Sequence, residues 1–526
     1  MFAHPRGKQL GGSSAINFLW WTHASRRDID NWGALGNANW SWDALEPYFR
    51  RSEHYIAPSP GTEAALGTGY IDPALHGTDG PVENTFADIY GPFDEAWPRT
   101  YDTLGLGVSS DLRDGLALGG YTNLINMDPS TRSRSYAATA YWRPARDRQN
   151  LRTITGAHAS RVLFEHVEEL PVAKGVNYSS NGTVYSIFAT KEVVLCAGAF
   201  GSPKLLELSG IGDEALLRRF GIEQVVGNDN VGENLQDHAY VPVGYEVREP
   251  GFFTLDDLAN ATLFEEAYDQ YIVNRTGLLA TTSASSALLS LAQIENATYN
   301  AQLRGYEDPM HHHLEKRRPG LAEQYRLIHN DVFHEAEAVT QELTIPGGIS
   351  PQLANDSTRL FYASTEGNYL SLLGVLEHPF SRGSVHFNSS DPVEHPLVDP
   401  SYLSHPLDLK LLSIIALHLQ DVARTPPLRN LLSGNGTIYQ PGYHQLDEAN
   451  VEDWIRANLQ SEYHPAGTCA MLARRKGGVV DEEFRVYGVK GLRVVDASVF
   501  PMMPRANLQT LVYAVAERAA DFLRAN

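Results

Sequence analysis

With 526 residues, 43% of them hydrophobic and 20% charged, the chain can bury a sizeable core, in two intimately packed domains rather than a string of modules. Its 63 acidic against 42 basic residues leave a net charge of −21, which argues against nucleic acid or anionic membrane as partner. No apolar run approaches the roughly 20 residues of a membrane-spanning helix, and the only two cysteines, Cys196 and Cys469, read as small buried side chains rather than a disulfide.

Near the start, Arg6-Gly7-Lys8-Gln9-Leu10-Gly11-Gly12-Ser13-Ser14-Ala15-Ile16-Asn17 is a loop-to-helix signal. Its paired glycines let the backbone come close to another group, and Ser13 and Ser14 can cap the next segment or contact phosphate oxygens. From about Tyr55 to Thr131 the chain is rich in Gly, Pro, Asp and Thr and reads as long loops. Ser135 to Trp142 suggests a short helix, and Leu151–Ala157 and Arg161–Phe164 alternate like strands. Glu192 to Gly212 reads as a strand, a small-residue turn at Ala197-Gly198-Ala199, and a helix from near Ser202-Pro203. Residues 250–345 alternate amphipathic helical stretches with charge. His311-His312-His313 lacks an i,i+4 partner set and reads as a solvated loop, so no metal site is expected. Gly374–Asn388 reads as strand-turn-strand, and Leu407–Ala423 and Ala449–Leu459 as amphipathic helices.

The C-terminal stretch organises the rest. Ser461 to Met471 holds His464, Leu492 to Ser498 is strand-like, and Arg505-Ala506-Asn507-Leu508-Gln509-Thr510 opens a final helix. Leu508, Leu511, Val512, Val515, Ala519 and Phe522 recur at helical spacing, with Asn507 where an N-cap belongs. His464 and Asn507 would then face each other across one pocket as a base and a hydrogen-bond donor. His238, in Val231-Gly232-Glu233-Asn234-Leu235-Gln236-Asp237-His238, reads as structural. Sequons at Asn39, Asn177, Asn181, Asn260, Asn274, Asn296, Asn355, Asn388 and Asn435 suggest a glycosylated, secreted protein, although the first twenty residues do not read as a signal peptide.

Four separated motifs carry a resemblance: RGKQLGGSSAIN, EVVLCAGAFGSPKLLELSGIG, VGENLQDH, and HPAGTCAM followed by VYGVKGLRVVDAS and RANLQTLVYAVAERAADF. In this order, from Arg6 to about Phe522, the chain resembles the glucose-methanol-choline (GMC) flavin oxidoreductases. The resemblance implies an α/β fold, with a discontinuous Rossmann-like FAD-binding domain and a substrate-binding domain of antiparallel sheet and helices. Residues 1–240 would be the FAD-binding N-terminal region with substrate-domain loops inserted at about 55–130, 241–370 the substrate region, and 371–526 the C-terminal region. It implies FAD contacts from Arg6, Leu10, Gly11, Gly12, Ser13, Ser14, Asn17, the backbone near Val162, Gly198, Asp496, Ala497 and Leu508. His464 would be the catalytic base, and Asn507 would help hold the substrate oxygen.

Ile16 stands where some members carry a flavin-linking histidine, so FAD is expected to bind non-covalently. The implied reaction oxidises a small-molecule alcohol, with oxygen or a quinone taking the electrons. Alternatives are a cyanohydrin-cleaving lyase on the same fold and a flavin-free relic. A serine hydrolase is disfavoured, because no Gly-x-Ser-x-Gly elbow occurs. The family's opening βαβ unit carries Gly-x-Gly-x-x-Gly, which is nowhere in this sequence; the nearest match, at Gly210-Ile211-Gly212, follows a helical run. The chain expressed alone is therefore expected to purify without stoichiometric FAD.

Overall fold

The computed structural model describes the chain except residues 1, 168–169, 249–253, 305, 307–318, 362–366, 436–437, 441–444 and 526. The His311–His313 run lies outside the described residues. At the centre is a seven-stranded antiparallel sheet. Six strands lie in the order Ile438–Gln440, Ala239–Glu246, Tyr369–Leu376, Thr340–Ile345, Ser285–Leu289 and Gly119–Thr122. The seventh, Gln460–Ser461, also pairs with Ala239–Glu246. Register runs Ala239 against Leu376 and Thr340 against the same Leu376. The central strands Ala239–Glu246, Tyr369–Leu376 and Thr340–Ile345 are buried almost throughout rather than at alternate residues, because both faces are covered.

The Pro406–Arg424 helix covers part of this sheet. Pro406 sits in its first turn, where its missing N–H costs nothing, and Leu412, Ile415, Ala416, Leu419 and Ala423 form one buried stripe. Each large side chain so buried contributes about 1.5–3 kcal/mol. The approach is close: a Cβ on Gly374 of the Tyr369–Leu376 strand would lie 2.3 Å from Ile415.

A second unit is built on the parallel pair Val193–Leu195 and Leu492–Val494. The Gly198–Leu208 helix follows the first strand. Asp496 follows the second, and its Oδ2 accepts from Gly198 N at 2.9 Å and Ser202 Oγ at 2.6 Å. One carboxylate thus ties the two strand ends to the helix N-terminus. A three-stranded antiparallel meander, His158–Val167, Leu170–Ser180 and Thr183–Phe188, flanks this unit. The C-terminal helix, Gln509–Ala525, packs against the helix Trp42–Ser52.

Several local expectations change. The 55–131 region is not all loop. It contains helices Pro60–Leu66 and Pro92–Thr103 and the sheet strand Gly119–Thr122. Pro92 occupies a first-turn position, and Phe93, Ala96, Trp97, Thr100 and Tyr101 are buried along one side. Residues 151–157 form no strand; the strand begins at His158. The two strands expected in 374–388 exist but do not pair: Tyr369–Leu376 joins the large sheet, and Ser384–His386 pairs with Leu397–Asp399. Residues 250–345 hold the expected helices and two buried sheet strands besides.

Candidate active site

A cavity of about 620 Å³ is lined by the N-terminal loop, the start of the Gly198–Leu208 helix, the turn after Gln460–Ser461, and the ends of the 496–509 stretch. Arg6, Gly11, Gly12, Ser13, Ser14, Asn17, Gly198, Asp496, Ala497, Leu508, His464 and Asn507 all line it. Leu10 and Val162 do not. Val162 is fully buried, and its backbone N–H is already donated to Ser209 Oγ at 2.8 Å. Cys196 differs from its expected burial: it is exposed, and its surface faces this cavity. Burial of the surrounding wall, with the nearby Asp496 charge, pushes its thiol up to about 12. Cys469 is buried, and both cysteines are free.

His464 and Asn507 meet at the cavity wall, with Asn507 Nδ2 3.3 Å from His464 Nε2. The protonation pattern follows from their partners. His238 Nε2 lies 3.0 Å from two carbonyl oxygens, those of Glu377 and Pro504, and so must carry the proton. His238 Nδ1 is then a bare acceptor, and it sits 3.0 Å from His464 Nδ1. His464 therefore donates from Nδ1 and keeps an unprotonated Nε2 toward Asn507. Burial, then the neighbouring His238 and Arg6, hold the His464 imidazole well below its ordinary range, so it is neutral at pH 7. Burial also takes His238 down to about 4.

Asn507 is oriented with the same economy. Its Oδ1 accepts from Thr22 Oγ1 at 3.2 Å and Gln341 Nε2 at 3.4 Å, which turns Nδ2 toward His464. The helix begins at Gln509, and the Asn507 side chain bonds these three neighbours instead of capping it.

Both residues follow left-handed turns. Tyr463 has φ 62° and Ala506 φ 65°, conformations that cost a non-glycine residue about 1–3 kcal/mol. Buried carboxylates hold each one. Asp237 Oδ1 accepts from His464 N at 2.7 Å, and its Oδ2 accepts from Ser461 Oγ at 2.6 Å. Glu377 accepts from Ala506 N. Beneath this turn, Asp28, Glu337 and His378 cluster, already cross-linked by a His378–Asp28 bond of 2.8 Å and by Arg505 N to Asp28 Oδ2 at 3.0 Å. The sequence reading passed over Asp237, Glu377, Thr22 and Gln341 and took His238 as merely structural. Only the Asp237-His238 pair had a signal, the VGENLQDH segment.

The loop suits a flat ring with a phosphate tail. Gly11 (φ 89°), Gly12 (φ 53°) and Gly198 (φ 76°) are left-handed. A Cβ on Gly11 would lie 2.7 Å from the Tyr136 ring; on Gly12 or Gly198 it would meet nothing within 4 Å, beside the cavity they line. Bare backbone at an open wall is what close approach of FAD requires. Ser13 and Ser14 spend hydroxyl bonds on the loop itself, Ser13 Oγ accepting from Gly7 N at 3.2 Å and Ser14 Oγ donating to Gly11 O at 2.6 Å. Asn17 is clamped by Arg134, whose Nη2 donates to its carbonyl at 2.7 Å. The residues present fit the cofactor.

Residues 1–240 and 379–516 match the N- and C-terminal family models of GMC oxidoreductase. The chain is 34% identical to the dehydrogenase citC of Monascus ruber, over 99% of this chain and 84% of that protein. It is 31% identical to the patulin synthase of Aspergillus clavatus, over 98% and 78%. An FAD-dependent oxidoreductase from Chaetomium thermophilum superposes with a TM-score of 0.85 at 27% identity, over 99% of this chain and 86% of that one. A fungal aryl-alcohol oxidase superposes at 0.81 and 26%, over 98% and 86%. The motifs, the fold and these likenesses agree, and the chain belongs to the GMC oxidoreductase family as an FAD-dependent oxidoreductase of alcohol-type substrates.

Proposed function

We propose that His464 is the base that takes the hydroxyl proton of the alcohol at Nε2, while Asn507 Nδ2 donates a hydrogen bond to the same oxygen. The observation that carries this reading is the enforced tautomer: His238 fixes the His464 proton on Nδ1, so the cavity-facing nitrogen can only accept. The substrate hydroxyl would replace the direct 3.3 Å contact between His464 and Asn507, donating to one and accepting from the other. As negative charge grows on that oxygen, the Asn507 donor, already aimed by Thr22 and Gln341, stabilises it without reorganising. FAD, when bound, supplies the two-electron acceptor for the carbinol hydride.

FAD binds non-covalently in this reading, because Ile16, which lines the cavity, has no atom able to form the bond. Gly11, Gly12, Ser13, Ser14, Asn17, Gly198, Asp496, Ala497 and Leu508 would hold it, with Arg6 at the edge. The division into FAD-binding, substrate-binding and C-terminal regions follows the same reading. Oxygen or a quinone would take the electrons onward. The sequons favour a secreted glycoprotein, and Asn181, Asn274, Asn355 and Asn388 are exposed, as glycosylation requires. No helix among the described residues is long and apolar enough to cross a membrane.

The test is anaerobic reduction of the FAD-loaded protein by a panel of aryl, alkyl and sugar alcohols. His464→Ala should keep its flavin and slow reduction about 10²- to 10⁴-fold. Near-parental reduction in that variant would remove His464 from the chemistry.

A further inference from the structure

The Arg134 guanidinium holds the cavity-lining 11–17 loop from behind. Its Nη2 donates to the Asn17 carbonyl at 2.7 Å, and its Nη1 donates to Asn17 Oδ1 and, at 3.4 Å, to the Ser14 carbonyl. Asn17 Oδ1 also accepts from Leu19 N at 3.2 Å, so its amide is fixed one way round, with Nδ2 donating to Gln509 Oε1. Ser14, Asn17 and Gln509 all line the cavity, whereas Arg134 does not. The residues that follow Arg134 complete the bed of the loop. Ala137 N donates to Ser14 Oγ at 3.3 Å, and the Tyr136 ring closes the space beside Gly11.

Arg134 has no counter-charge. Among the described residues no carboxylate pairs with it, and its bonds all end on neutral oxygens. Burial lowers its pKa, and only Tyr136 and Tyr513 work the other way. Acids are not scarce in a chain with 63 of them, and Arg132, two positions earlier, is paired with Asp88. A half-buried charge left uncompensated is costly, and it persists chiefly where another charge balances it. The loop Arg134 holds is the one assigned to FAD, whose pyrophosphate is anionic. Among the described residues lining the cavity, Arg6 is the one Lys or Arg, and Asp496 is a carboxylate. Positive charge from behind the wall therefore favours an anionic ligand there.

We propose that Arg134 is a positioning residue for FAD: its three hydrogen bonds shape the 11–17 loop, and its uncompensated charge favours the cofactor's phosphates through that loop. This inference rests on the placement of FAD against the loop and adds a residue outside the cavity to it. A cation bound to the Ser14 and Asn17 carbonyls polarises those peptide groups, and little water intervenes to screen it. Through Asn17 and Gln509 the same residue also ties the cofactor loop to the final helix, which starts two positions after Asn507.

The test titrates the flavin-free chain with FAD and, separately, with riboflavin, which has the ring but no phosphate, following the quenching of flavin fluorescence. Arg134→Met should raise the FAD dissociation constant about 10- to 150-fold, the range for lost hydrogen bonds to a charged group, and the riboflavin constant far less. Arg134→Lys, which keeps the charge but not the fork, should fall between and retain most of the preference for FAD. Arg132→Met, the paired neighbour, should leave both constants unchanged. In the parent the FAD constant should rise with KCl more steeply than the riboflavin constant, and the difference should shrink in Arg134→Met. Equal losses of FAD and riboflavin in Arg134→Met would make Arg134 a structural clamp only and overturn the proposal. So would FAD binding in that variant within about twofold of the parent or, should it not fold, a parent whose two constants respond alike to salt. A parent that binds neither flavin would refute the placement of FAD itself, and this inference with it.

Discussion

His238→Phe probes the tautomer argument most directly. Phenylalanine keeps the ring volume in a buried position and removes the Nδ1 acceptor that stands 3.0 Å from His464 Nδ1. The His464 N–H is then a buried donor without a partner, which costs about 1–3 kcal/mol. His464 can escape that cost by moving its proton to Nε2, where it faces Asn507 and can no longer accept from substrate. The same 1–3 kcal/mol, read as a shift in tautomer population, predicts flavin reduction about 5- to 150-fold slower. Flavin content should change far less, because holding FAD does not depend on which nitrogen carries the proton, whereas the substrate dissociation constant should rise with the lost hydrogen bond to Nε2. The carbonyls of Glu377 and Pro504 also lose their shared donor, so the melting temperature should fall, a separate readout from the rate. Stopped-flow anaerobic reduction at saturating alcohol measures the effect. A variant that folds, holds its flavin and reduces it within about twofold of the parent would refute the tautomer reasoning.

Asn507→Asp should slow reduction more than Asn507→His, because a carboxylate next to His464 cannot donate and would favour the protonated imidazole; equal rates in the parent and the aspartate variant would count against Asn507 as donor. Because burial lowers the His464 pKa, the acid limb of kcat/KM should fall below pH 6.5, and a limb centred at or above 6.5 would contradict the neutral base. Burial lowers the His76 pKa, but hydrogen bonds to Asp111 and Glu53, both 3.0 Å, outweigh it and hold the group at about 9. Its folded value being the higher one, His76 stabilises fully below about 6.5 and loses that contribution as pH rises through 9. Thermal melting of the parent and His76→Gln at pH 6, 8 and 10 should converge upward across that window, and a constant gap would argue against the clamp.

Long periodic segments were readable from the chain alone. The helices at 406–424, 451–458 and 509–525 carry apolar stripes at 3.6-residue spacing, and local periodicity is all that such a helix needs to declare itself. The Pro92–Thr103 helix was hidden because Pro92 and Pro98 look like breakers in sequence, although one is a first-turn residue. Ser285–Leu289, buried on both faces and without alternation, could not be told from a helical fragment.

The candidate site divides the same way. Motif resemblance pointed to His464, Asn507 and the Gly11-Gly12 loop, since residue type and spacing along the chain are local properties. The acceptor that sets the His464 tautomer lies 226 positions away, and the carboxylate holding the Ala506 turn lies 129 away. Residue type says nothing of partners for Tyr240 or Glu462, and it is burial in the folded chain that leaves the Tyr240 hydroxyl and Glu462 Oε2 without one. Which nitrogen holds a proton, and which polar group lacks a partner, are settled by who the neighbours are, and strands far apart in sequence supply them only once the sheet has formed.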